Sequence, residues 1–170
     1  MRKFLILFSA FMMSIGLMAC SSEGEGNSAK KKSSADSAAD QQKVKKSLVH
    51  LYSELANTIN SKDTDLNTYE ASGDGSDAKM KTSAQVSAAA VAEELKKVKI
   101  PAELKNHSSD LEAAIKDFTD SYQTKADELK KSAPALDGAN ATFTKGEDKM
   151  GKVFEDAKLL KPSLNKEVNG

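Results

Sequence analysis

The chain holds one cysteine, Cys20, and two histidines, His50 and His107. A single thiol cannot close an intrachain disulfide or build a multi-cysteine zinc or iron–sulfur site. What it can do alone is act as a nucleophile. His50 precedes Glu54 by one helical turn and Glu103 precedes His107 at the same spacing, so each pair would share a helix face. Di-iron bundles use Glu-x-x-His instead, a motif this chain lacks. His50 falls off the apolar stripe of its helix and His107 at the edge of its own, which are the ordinary positions of a solvated and a boundary histidine. Asp63-Thr64-Asp65-Leu66-Asn67 imitates the opening of an EF-hand loop, whose sixth residue should be glycine and twelfth glutamate. Here those positions hold Thr68 and Asp74, and Leu66 with Tyr69 continues a helical pattern, so helix is the expectation. The nucleophile-elbow, zinc-protease, phosphate-loop and dinucleotide motifs are absent. No catalytic residue, metal ligand or cofactor is therefore assigned, and the expectation is that the protein is not an enzyme.

Cys20 is distinguished by its surroundings. Arg2 and Lys3 open the chain, and residues 4–19 follow without a charge. Such a run makes about 24 Å of helix, short of the roughly 20 residues needed to span a bilayer, and reads as the apolar region of a signal peptide. It ends in Leu17-Met18-Ala19-Cys20, followed by Ser21 and Ser22. This tetrapeptide resembles the lipobox of bacterial lipoproteins: Leu17, Ala19 and Cys20 match, and Met18 is bulkier than the usual occupant. The resemblance implies that Cys20 takes a thioether-linked diacylglycerol and becomes the mature N-terminus. Two acyl chains, at about 0.8 kcal/mol per buried methylene, anchor a protein where one chain is marginal.

At 170 residues and 18.2 kDa, the chain has room for one modest domain plus extras. The 25 basic side chains balance 25 acidic ones, so no overall basic field draws nucleic acid. Cleavage would remove Arg2 and Lys3 and leave a slight negative excess. Arg2 is the only arginine, a lysine bias that suits an AT-rich genome and a Gram-positive host. Tryptophan is absent, aromatics are 5%, and mean hydropathy is -0.51, as in a strongly solvated chain.

Residues 21–40 contain Ser, Gly, Ala, Glu and Lys but no large apolar side chain, so nothing there offsets the entropy of ordering. The expectation is a flexible tether with an end-to-end distance of about 25 Å. Lys30, Lys31 and Lys32 have acidic neighbours and read as solvating rather than membrane-binding. Beyond residue 40 apolar residues recur every three or four positions, the period of a helix. The first stripe is Val44, Leu48, Leu51, Leu55 and Ile59, resuming at Leu66 and Tyr69 after a miss at Lys62 and ending at Ser72-Gly73-Asp74-Gly75. The second runs from Met80 to Val98 and is rich in alanine. Pro101 suits a first helical turn and opens the third, from Leu104 through Phe118 and Tyr122 to Leu129. Ser109 with Glu112 offers a capping box where that helix would restart. The fourth runs from Phe143 to Leu160, with Gly146 and Gly151 each costing about 1 kcal/mol relative to alanine. Phe118 and Tyr122 would fill the space beside the alanines of the second helix.

The expected organisation is a signal peptide over 1–19, a lipidated cysteine and tether over 20–41, a helical bundle over 42–162 and a C-terminal tail over 163–170. The fold class is all-α, an up-down antiparallel bundle of about four helices. The layout resembles the small lysine-rich helical lipoproteins of Gram-positive bacteria of the Bacillus type, mainly through the lipobox at Cys20. That likeness implies an extracytoplasmic, membrane-anchored location and carries no activity. The functional expectation is a binding or interaction module with a protein partner at the cell surface. The alternative is a bundle that holds a metal ion or small apolar molecule.

Overall fold

The computed structural model describes residues 28–73 and 77–169, with side chains from residue 38 onward. The expected leader, Cys20 and the first part of the tether lie outside these residues. The elements are α1 (Ser28–Asn60), α2 (Thr64–Ser72), α3 (Ala78–Leu95), a 3₁₀ turn (Ala102–His107), α4 (Ser108–Glu128), α5 (Asp137–Asp156) and α6 (Leu164–Asn169). The four long helices form an all-α bundle, and the two short ones close its sides.

Side-chain pairings fix the helix directions. From α4 to α5, Ser121 reaches Ala139, Phe118 meets Phe143, and Lys149 bonds Asp117. As one number falls the other rises, so the two helices are antiparallel. Lys81, at the start of α3, donates to the carbonyl of Lys131 just beyond α4, at 2.9 Å, and α3 runs against α4 in the same way. The α4–α5 contact is the most extensive in the molecule, followed by α3–α4.

The apolar stripes lie where their period puts them. Leu48, Leu51, Leu55 and Ile59 are fully buried, as are Leu104, Leu111 and Phe118. The first stripe is divided between two helices. Ser61 and Lys62 form a turn that leaves the lysine in solvent, and Leu66 and Tyr69 return to the core on α2. Ser87 of α3 clasps this corner: its hydroxyl donates to the Lys62 carbonyl at 2.6 Å and accepts from the Leu66 amide. Gly73 ends α2 at φ 62, a left-handed conformation that glycine adopts without steric cost. Asp77 starts α3 by accepting from the amides of Lys79 and Met80, each at 2.9 Å.

Four boundaries differ from the sequence-based expectation. Helix α1 begins at Ser28, inside the expected tether. The run is rich in Ala, Lys and Gln, good helix formers, and is continuous with a packed helix that supplies the nucleus. Residues 38–43 are nonetheless exposed, so this stretch is helical without being packed. Helix α5 stops at Asp156, and Leu160 is 92% exposed rather than part of a stripe. The third segment does restart, at Ser108, but its N-cap residue is His107, with no side-chain cap bond. The tail expected over 163–170 is helix α6, with Leu164 and Val168 buried and its backbone carbonyls taken by Asn60 and Asn67.

Phe118 and Tyr122 also have a partner on α5. Both rings meet Phe143 of α5, with centroids 4.9 and 6.1 Å away. A Cβ on Gly146 would lie 2.6 Å from the Phe118 ring. The glycine is the seat of the phenylalanine, which offsets its poor helix propensity.

Candidate functional site

The sequence-nominated residues do not converge. His50 and Glu54 are exposed on α1, Glu103 is exposed on the 3₁₀ turn, and His107 is half-buried at the start of α4. Among the described residues no group of three or more His, Cys, Asp or Glu is arranged to hold a metal ion. The calcium-loop imitation is mostly helix α2: Thr68 donates to the Thr64 carbonyl, and Asn67 to that of Val168.

Two features stand out instead. The first is a groove of about 670 Å³ where the end of α3, the following loop and the start of α4 meet, within the size range of small-molecule sites. Helix α3 ends at Leu95, and the chain Lys96-Lys97-Val98-Lys99-Ile100 crosses toward α4. Pro101 is extended there, with φ -56 and ψ 144, and its carbonyl accepts from Leu104. Leu104 is fully buried and pins the turn to the core. Val98, Ile100 and Pro101 are left half-buried and, with Leu95 and Ile115, form the apolar floor.

Lysines 96, 99, 105 and 116 rim that floor, together with Glu112 and Asp120. Lys96 is engaged by Glu93 at 2.5 Å, and Lys116 by Asp120. The bond to Asp120 lifts Lys116 above the usual lysine range. Lys99 and Lys105 are exposed and form no ion pair with a described residue. The groove thus combines an apolar floor with two cations that are unpaired among the described residues.

Its place in the bundle follows from the helix directions. The start of α4 lies beside the end of α5, where Phe154 packs edge-on against Tyr52 of α1 at 5.9 Å. Helix α1 therefore enters the bundle at this pole. Its exposed residues 38–43, and the chain leading back to Cys20, precede that entry point.

The second feature is a buried ionic cluster nearer the opposite pole. The Lys125 side chain is only 6% exposed; it bonds Glu70 at 2.7 Å and lies 5.6 Å from the centre of the Tyr122 ring. Asp63, at the N-cap of α2, is buried, and its Oδ2 has no hydrogen-bond partner among the described residues. Burial raises its pKa above the usual aspartate value; Asn67 and Lys125 act against the rise, and Glu70 adds to it. Burial also raises the Tyr122 phenol, with Asp63 and Glu70 adding to the shift. A cleft of about 310 Å³ opens beside the Lys125–Glu70 pair, lined also by Asn140, Thr144, Asn165 and Asn169.

Neither feature was nominated by motif, yet one signal was present. Phe118, Tyr122, Lys125 and Leu129 follow the same three-and-four spacing, so Lys125 occupies a core position of α4.

No protein-family model matches the chain, and no curated protein or solved structure matches it.

Proposed function

We propose that the protein is a non-enzymatic binding module, held at the extracytoplasmic face of the cell membrane by a lipid on Cys20. The observation that carries this reading is the open, lysine-rimmed apolar groove at the pole where α1 enters the bundle. A groove of this composition suits recognition. An anchor on Cys20 would confine it near the membrane and raise its effective concentration toward surface partners. The partner in this reading is a protein at the cell surface, and nucleic acid has no part in it. The groove also favours a second reading, a bundle that binds a small molecule with an apolar body.

Cys20→Ala tests the anchor. The variant is expected to remain as uncleaved precursor or to appear in the medium, with the bundle still folded, since residue 20 precedes α1. Processing and membrane retention identical to wild type would refute the anchored reading.

A further inference from the structure

We propose that the groove between α3 and α4 binds a single-chain anionic amphiphile, a long-chain fatty acid carboxylate. This rests on the second reading above and names its ligand class. Apolar Val98, Ile100, Pro101 and Ile115 supply a floor for a hydrocarbon chain. The α4 side of the groove runs from Ser108 to Asp120, about 18 Å at the helical rise, enough to lay down an extended acyl chain. Burying that chain supplies the affinity, at about 0.8 kcal/mol per methylene.

Two ammonium groups choose the head group. Lys96 and Lys116 are already neutralised by Glu93 and Asp120, whereas Lys99 and Lys105 have no anionic partner among the described residues. The acid head is therefore assigned to Lys99 and Lys105; Glu112 lines the same groove and forms no ion pair with a described residue. Position agrees with chemistry. The groove shares the pole at which α1 brings the chain from Cys20, so an anchored protein would hold it on the bilayer side, where such acids partition.

The test is photolabelling of the full chain with diazirine-bearing myristate, followed by peptide mapping. The corresponding neutral alcohol is run in parallel. Label is expected on peptides containing Val98, Ile100 and Ile115, and far less from the alcohol. Lys99→Glu with Lys105→Glu should cut labelling by the acid about tenfold, from two reversed charge contacts. Both lysines are exposed, so the variant should fold, which circular dichroism checks. Ile100→Asp should reduce labelling by both probes. The Cys20→Ala chain should label at the same peptides, so loss of anchoring and loss of this site are separate results. Label confined to residues 1–19, equal labelling by alcohol and acid, or indifference to charge reversal would each overturn the proposal.

Discussion

Asp63 shows how one side chain sets a pH response. Its carboxylate is buried at the N-cap of α2, with one oxygen lacking a partner among the described residues. Burial raises its folded-state pKa, so between the unfolded and folded values the native chain binds the extra proton. Stability must then fall as pH rises through that window. Ionised Asp63 is thus a liability that Lys125, with Glu70 beside it, only partly relieves. Asp63→Asn removes the titration without losing a cap, since the Asp63 side chain makes no cap bond to α2. The variant is expected to melt a few degrees higher at neutral pH, with the gain closing below the ordinary aspartate range. A gain that persists unchanged in acid would show that titration is not its source. Little of this was legible from sequence, where Asp63 figured only as the first residue of an imperfect calcium loop. The corner it occupies is held by Ser87 of α3 and lies near Lys125 of α4, and residue spacing within one segment does not report contacts between segments.

At the scale of elements, the α4–α5 contact depends on a missing side chain. Gly146 lies against the Phe118 ring, and a Cβ there would also meet the Ala114 carbonyl oxygen at 3.0 Å. Gly146→Ala would gain about 1 kcal/mol of helix propensity but overpack the seam at a cost of about 1–3 kcal/mol. The expected net result is a loss of about 1 kcal/mol in denaturant unfolding. In a Phe118→Leu background, which frees the ring's space, the same substitution should be neutral or stabilising. Equal costs in both backgrounds would show that the ring does not decide the effect. Helix content and the stripes of α1, α3 and α4 were legible because a period near 3.6 follows directly from burying one face. Two element-level features were not. Helix α6 has only Leu164 and Val168 to advertise a buried face, too short a run to show a period. The extent of α1 was hidden because residues 38–43 are exposed and carry no buried stripe that would reveal a helix.

For the whole molecule, architecture and function were unequally legible. An all-α bundle followed from patterning, and the groove did not, because it arises where α3 ends against the start of α4. The Lys-Val-Lys-Ile-Pro run that lines it reads in sequence as a helix end followed by a start signal. The anchored-module account requires Cys20 to carry lipid, since that modification determines which surface the groove faces. The most direct measurement is mass spectrometry of the N-terminal peptide of the protein purified from its native membrane. The account predicts a chain that begins at Cys20 and carries the added mass of a diacylglycerol on sulfur. A free thiol at Cys20, or a mature chain that retains residues 1–19, would contradict it.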